Sequence, residues 1–224
     1  MKFEQYHAHR WDVSTLEAIR IQNSLASLVR QEPLAFMPRT IAGVDVSFRR
    51  RGYKDYAAQC GIAVLSLPDL TVVDKASWTG DITFPYVPGL LSFREIPAVM
   101  EALDRLSVRP DVFMTDGQGL AHPRRFGLAC HLGVALDIPT IGVAKKKLIG
   151  DFESLSGDRG SSTALTHKGE LIGAALRTRK HIKPVFVSIG HRITLPEALD
   201  LTMACAPRFK IPEPTRQAHH FSRA

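Results

Sequence analysis

The stretch Thr40-Ile41-Ala42-Gly43-Val44-Asp45-Val46-Ser47-Phe48 is rich in apolar and β-branched residues and contains one carboxylate. This composition predicts a β-strand over 40–48. Two further strands are predicted for Ala57 to Leu67 and Leu70 to Trp78, separated by a tight turn at Pro68-Asp69. Because the connections are short, we expect the three strands to form an antiparallel meander.

Helices and strands alternate in the rest of the predicted core. Apolar residues at helical spacing predict a helix from Thr15 to Arg30 and a second one over 93–106, for which Pro97 is a candidate first residue. A short buried strand is predicted for Val112 to Thr115, a helix for Arg124 to Leu136 and a strand for Thr140 to Val143. Strands separated by helices are expected to pair in parallel.

This order of elements matches an α/β fold of the ribonuclease H-like type. In that fold an antiparallel meander is followed by parallel strands in one mixed sheet, which is flanked by helices. The 224 residues and the 45% hydrophobic content are enough for a sizeable core, and we expect a single domain over 1–224. The first and fourth strands are neighbours in this layout.

Three acidic residues, Asp45, Glu95 and Asp116, each follow an apolar run and are predicted to lie where an element leaves the core. Any one of them alone is more often a helix N-cap or a solvated turn residue. An unpaired carboxylate inside an apolar stretch costs several kcal/mol, however, and neighbouring strands would bring Asp45 and Asp116 together. Carboxylate oxygens suit Mg²⁺ or Mn²⁺, so the sequence predicts a metal-dependent nuclease.

Charge and cysteine content restrict the class of protein further. The net charge of +7 favours a polyanionic partner, although a merely basic enzyme would show the same charge. Three cysteines without CxxC spacing indicate neither a disulfide framework nor a thiolate zinc site. Since no apolar run is long enough for a membrane span and the charged start lacks a signal-peptide core, we expect a cytoplasmic location.

Two segments carry features that suit phosphate. Glycines and basic residues follow Asp116 in Gly117-Gln118-Gly119-Leu120-Ala121-His122-Pro123-Arg124-Arg125, where glycines allow a ligand to approach the backbone. The basic stretch from Arg49 to Lys54 is either an extra phosphate contact or a solvated turn.

Several long motifs resemble the endonuclease V family of deoxyinosine nucleases, in the same order and over nearly the whole chain. The carrying segments are Ile41 to Phe48, Ile82 to Glu95, Asp116 to Arg124, Ile138 to Lys145 and Ile211 to Arg216. Such a series is far more specific than a single short motif.

The resemblance implies a Mg²⁺-dependent enzyme, with Mn²⁺ as a substitute, that nicks DNA containing deaminated purines. The cut falls at the second phosphodiester bond 3′ to the lesion, and the base stays in place. By motif position, Asp45 and Asp116 are direct metal ligands, and Glu95 binds a second ion or orients the attacking water. Lys145 would stabilise charge at the scissile phosphate; without the family, a solvated lysine run is the preferred interpretation.

The resemblance also assigns residues to the lesion. Tyr86, between Pro85 and Pro88, would fill the gap left by an extruded nucleotide, although as an ordinary loop aromatic it would pack on the core. Gly117, Gly119 and His122 would line the hypoxanthine pocket, where His122 could instead be a satisfied loop histidine.

The resemblance places His219 near the metal, with His220 as the neighbour that could be mistaken for it. Two other functions remain open at this point. A related nuclease could act on inosine-containing RNA or branched DNA with the same acids and metal. A non-catalytic nucleic-acid-binding module is less favoured because the acidic set is intact.

Overall fold

A computed structural model describes residues 3–50 and 56–223. Its described strands form one mixed sheet in the order β3-β2-β1-β4-β5-β8-β7-β6. The strands are β1 Thr40–Arg50, β2 Tyr56–Ser66, β3 Val72–Asp81, β4 Val112–Thr115, β5 Thr140–Ala144, β6 Ser162–His167, β7 Glu170–Leu176 and β8 Val185–His191. The helices are α1 Thr15–Leu25, α2 Leu91–Leu103, α3 Leu128–Leu136, α4 Leu195–Ala204 and α5 Glu213–Phe221, with a 3₁₀ turn at Ala26–Leu28 after α1.

The predicted meander and the predicted mixed α/β sheet are confirmed. Strands β1, β2 and β3 pair antiparallel in sequence order, and β4 and β5 add to β1 in parallel. β1 extends to Arg50, and Asp45 lies within it, opposite Gly61, where the strand passes from buried to partly buried residues. The tip of this hairpin, with most of the basic stretch from Arg49 to Lys54, lies outside the described residues.

Several predicted boundaries were wrong, and the local backbone explains two of them. The turn after β2 includes Leu70, which has φ 55° and donates to the carbonyl of Ser66, so β3 begins at Val72. Helix α3 begins at Leu128 instead of Arg124 because Arg125 has a left-handed φ of 54°. The first helix gives way to the 3₁₀ turn after Leu25.

Pro97 lies inside α2 and is not its first residue. A proline in a helix removes one backbone hydrogen bond. Ile96 and Val99, on either side of it, are fully buried against the sheet, and this packing favours a continuous helix.

Hydrophobic cores cover both faces of the sheet. Alternation along β1 sends Ala42 and Val44 to the face that packs on α2, and Ile41 to the opposite face, which packs on α4. None of the helices in the described part of the chain is long and apolar enough to cross a membrane.

The last helix, α5, lies directly on β1 and β2 because glycines leave room for it. A Cβ at Gly43 would be 1.9 Å from the carbonyl oxygen of Pro214, and one at Gly61 would be 2.3 Å from that of Ala218. Any larger residue would push the helix away. This close packing holds α5 against the strand that carries Asp45.

Candidate active site

Asp45 and Asp116 lie side by side on neighbouring strands. Val44 pairs with Thr115 in the parallel register of β1 and β4, and each aspartate is the next residue. The backbone N–H of Asp116 donates to the carbonyl of Val44 at 3.5 Å. Both carboxylates keep contact with solvent, with side-chain exposures of 11% and 21%. The predicted juxtaposition of these two acids is therefore present in the structure.

Helix α5 and the residue that caps its C-terminus, Ser222, supply two polar partners to Asp45. Oδ2 of Asp45 lies 3.1 Å from Nδ1 of His219 and accepts a hydrogen bond from Oγ of Ser222 at 2.6 Å. His220 lies instead against Arg216, at 3.2 Å. The structure thus separates the two adjacent histidines: His219 faces the carboxylate and His220 does not.

Glu95, in α2, is buried and lies within electrostatic reach of the two aspartates. Burial raises the pKa of Glu95 well above its ordinary value, and the negative charges of Asp45 and Asp116 raise it further, against the opposing charge of Arg94. No hydrogen bond from the described residues contributes to this shift. The three predicted acids therefore form one cluster with excess negative charge.

Lys145 follows β5 directly and pairs its Nζ with Oδ2 of Asp116. Lys147, in the same lysine run, pairs with Asp151 instead. Only Lys145 of these two therefore faces the acidic cluster, where its ammonium is half-exposed and available to an anionic group.

The acidic cluster suits a divalent cation in donor type and in charge. Carboxylate oxygens are hard ligands, and a cation would relieve the like-charge repulsion that raises the pKa of Glu95. Within residues 3–50 and 56–223, no three His, Cys, Asp or Glu side chains are already arranged as a metal-holding group. Because Oδ2 of Asp116 pairs with Lys145, sharing an ion through that atom would require the carboxylate to release the lysine.

A cavity of about 390 Å³ adjoins the acidic cluster. This volume lies within the range usual for small-ligand sites, about 300–1,000 Å³. Gly117 and Lys146 line it; Gly117 directly follows Asp116 of the cluster, and Lys146 directly follows Lys145, which pairs with Asp116. Tyr86 and His122 line it as well. The cavity and the acids are therefore separate but adjacent.

Gly119 is not among the residues that line the cavity. Its N–H donates to Oγ of Ser188 at 2.8 Å, and a Cβ at this position would lie 2.0 Å from the carbonyl oxygen of Ile189. The glycine is thus needed where its loop crosses β8. Gly117 has more room, since the nearest atom to its Cβ would be Cδ2 of Leu128 at 3.0 Å.

His122 is buried in the cavity wall, and both of its ring nitrogens are used within the chain. Nδ1 accepts from the backbone N–H of Arg124 at 3.2 Å, so Nε2 carries the hydrogen and donates to the carbonyl of Gly89 at 3.1 Å. Burial, reinforced by the charge of Arg124, lowers the pKa of His122 to about 4. The imidazole is therefore neutral near pH 7 and offers a ligand its ring surface.

The loop that carries Tyr86 is fixed at both ends. Arg94 Nη1 donates to the carbonyl of Phe84 at 2.8 Å. The carbonyl of Gly89 accepts from Gln22 Nε2 and Arg124 Nη2, at 3.1 and 2.6 Å, in addition to His122. Between these anchors Tyr86 is 72% exposed. The loop holds an aromatic side chain out from the protein surface.

Two residues that help to build this site were not identified from the sequence. Gln22 belongs to the predicted first helix, where a lone amide among apolar positions was its only signal. Ser222 lies one turn after His219 and had no signal of its own, because its partner Asp45 is distant in sequence.

A mixed sheet with carboxylates on neighbouring strands, a lysine beside them and an adjoining cavity defines a nuclease of the ribonuclease H-like class. A sequence profile of the Endonuclease V family matches residues 23–220, and the chain belongs to this family. The prediction made from the motifs is confirmed.

Relatives and solved structures agree with this assignment. An Endonuclease V from Trichormus variabilis is 50% identical over 214 residues, which are 95% of this chain and 96% of the relative. The crystal structure of Endonuclease V from Streptomyces avermitilis is 40% identical, with a TM-score of 0.90 over 100% of this chain and 96% of that one. Endonuclease V from Ciona intestinalis, in complex with a 24-mer DNA containing an inosine followed by a ribo-adenosine, is 28% identical, with a TM-score of 0.78 over 93% of this chain and 95% of that one.

Proposed function

We propose that this protein is a Mg²⁺-dependent DNA repair endonuclease, in which Mn²⁺ can substitute, that acts on deoxyinosine. It hydrolyses the second phosphodiester bond 3′ to the deaminated base and leaves that base attached. The observation that carries the proposal is the cavity beside the acidic cluster, since Gly117 and Lys146 line the cavity directly after Asp116 and Lys145. A base held in the cavity would lie apart from the bond that is cut.

The acidic cluster would carry out the hydrolysis. Asp45 and Asp116 would hold Mg²⁺, which supplies Lewis acidity and lowers the pKa of water when bound. Glu95 would orient the attacking water or bind a second ion. Nζ of Lys145 would stabilise negative charge on the phosphate, and His219 would keep the Asp45 carboxylate in place.

Recognition of the lesion would require the base to leave the duplex. Tyr86, exposed on its anchored loop, would stack in the gap and compensate for the lost base stacking. The base would enter the cavity between Gly117 and His122. Gly119 would act on substrate binding indirectly, because it sets the path of the loop where it crosses β8.

Cleavage of matched DNA duplexes, with inosine or adenosine at one position and with Mg²⁺ or EDTA, tests the proposal. We expect a cut only with inosine and Mg²⁺, and product mapping should place it 3′ to an intact lesion. Asp45→Asn and Asp116→Asn should remove nearly all cleavage, whereas Asp200→Asn, an exposed residue of α4, should leave it unchanged. A free base, a cut 5′ to the lesion or full activity of either site variant would contradict the proposal.

Inosine-containing RNA is the second candidate substrate. The Ciona intestinalis protein was crystallised with an inosine followed by a ribonucleotide, which favours tolerance of a 2′-hydroxyl near the lesion. The same assay on matched RNA strands would compare the two substrates, and a faster rate on RNA would make RNA the preferred one.

A further inference from the structure

A chain of polar side chains runs from the cavity to the N-terminal segment. Ser92, in the first turn of α2, lines the cavity and is 2% exposed. Its Oγ lies 2.9 Å from Nδ1 of His131. His131 is fully buried against the rings of Phe93 and Phe126, with centroids 5.1 and 5.0 Å away. The catalytic roles proposed above use neither Ser92 nor His131.

The chain continues from His131 to His9. Their Nε2 atoms are 2.7 Å apart, and Nδ1 of His9 lies 2.8 Å from the carbonyl oxygen of Arg10. Burial lowers the pKa of His9, and it lowers that of His131 well below its usual range. Both imidazoles are therefore neutral near pH 7, and each carries one hydrogen.

The position of every hydrogen in this chain then follows. A carbonyl can only accept, so Nδ1 of His9 carries the hydrogen and its Nε2 is an acceptor. Nε2 of His131 must therefore donate to His9, which leaves Nδ1 of His131 as an acceptor. The hydroxyl of Ser92 donates to that Nδ1. Its only hydrogen is thus used, and towards the cavity Ser92 can only accept a hydrogen bond.

We propose that Ser92 is a specificity-determining residue that accepts a hydrogen bond from the N1–H of a 6-oxopurine base, with His131 and His9 as positioning residues. This inference depends on the proposed function, because it assumes that the base enters the cavity. Hypoxanthine carries a hydrogen on N1, whereas adenine has a lone pair there. In adenine, the lone pair on N1 would therefore face the lone pairs of Ser92 Oγ. Two buried acceptors with no hydrogen between them are unfavourable.

A duplex containing nebularine provides the probe. This purine lacks the 6-oxygen and has a lone pair on N1, so it cannot donate to Ser92. The ratio of cleavage rates, inosine over nebularine, is measured for the wild-type protein and for Ser92→Ala. We expect Ser92→Ala to lower this ratio roughly tenfold, because one hydrogen bond in a buried site is lost for inosine alone. A ratio within one enzyme is independent of its folded fraction.

Two substitutions of His9 test the positioning chain. His9→Gln keeps a carbonyl acceptor for Nε2 of His131 and should retain the wild-type ratio. His9→Leu removes the acceptor, so His131 can populate its other tautomer and Ser92 can donate towards the cavity. We therefore expect a lower ratio in His9→Leu than in His9→Gln.

The outcomes separate this inference from the proposed function. If the wild-type protein does not cleave inosine-containing DNA, the proposed function fails. If it does, and Ser92→Ala lowers both rates equally, the role of Ser92 is overturned while the function stands. Equal ratios in the two His9 variants would overturn the positioning chain.

Discussion

Neutralising Glu95 should stabilise the metal-free protein while it removes cleavage. The carboxylate is buried beside Asp45 and Asp116, and burial is the first cause of its raised pKa. A buried polar group without a partner costs about 1–3 kcal/mol, and a charged one costs more. Glu95→Gln keeps the shape of the side chain and removes the charge. We expect it to raise the free energy of unfolding by about 1–2 kcal/mol at neutral pH.

The corresponding change in melting temperature is measurable. Unfolding entropy is about 2.1 cal/mol/K per residue, which gives about 0.5 kcal/mol/K for the 224 residues. A gain of about 1–2 kcal/mol therefore raises the melting temperature by about 2–4 °C. Calorimetry in EDTA measures it, and Glu101→Gln, an exposed position on the same helix, is the matched control with no expected shift.

The effect should depend on pH and on Mg²⁺. The pKa of Glu95 is higher in the folded than in the unfolded state, so the folded protein holds this proton more tightly. The free energy of unfolding is therefore highest below the unfolded-state pKa and falls as the pH rises through the folded-state pKa. The advantage of Glu95→Gln should therefore grow with rising pH and shrink in acid. Mg²⁺ should stabilise the wild-type protein more than the variant. A variant that melts no higher than the wild type, or a difference that is constant with pH, would refute this reasoning.

Two further predictions concern the cavity and the loop beside it. Gly119→Ala should lower the free energy of unfolding by about 1–3 kcal/mol, because the new Cβ would lie 2.0 Å from a backbone carbonyl oxygen. Gly117→Ala should melt near the wild-type temperature, because the nearest atom to its Cβ belongs to a leucine side chain. Equal losses in thermal melts would contradict this distinction. Tyr86→Ala should slow cleavage of inosine in a duplex roughly tenfold and have less effect on single-stranded DNA, because only the duplex leaves a gap to be filled. Equal losses on the two substrates in a rate assay would argue for a packing role instead.

The sequence was sufficient where local pattern determines structure. Alternation and turn residues predicted the meander, and the order of elements predicted that β1 and β4 are neighbours, which brings Asp45 beside Asp116. The acidic cluster follows from topology, because its members are separated by long stretches of chain that only the sheet order brings together.

Features that depend on distant contacts could not be predicted in this way. The left-handed φ of Arg125, which delays the start of α3, accompanies the hydrogen bond and ion pair that Arg125 makes with His167 and Glu170. The position of His219 came from the family resemblance alone. The contact of His219 with Asp45 requires α5 to lie on Gly43 and Gly61. In the sequence alone, nothing distinguishes these two glycines from glycines that merely weaken a strand.

The placement of α5 on β1 has a consequence for synthesis on the ribosome. Asp45 receives its partners from His219 and Ser222, which are translated after every strand of the sheet. A nascent chain can form the meander and place Asp45 beside Asp116 while the face that α5 covers is still bare. The order of translation therefore leaves Asp45 without these two partners until residue 222 has been synthesised.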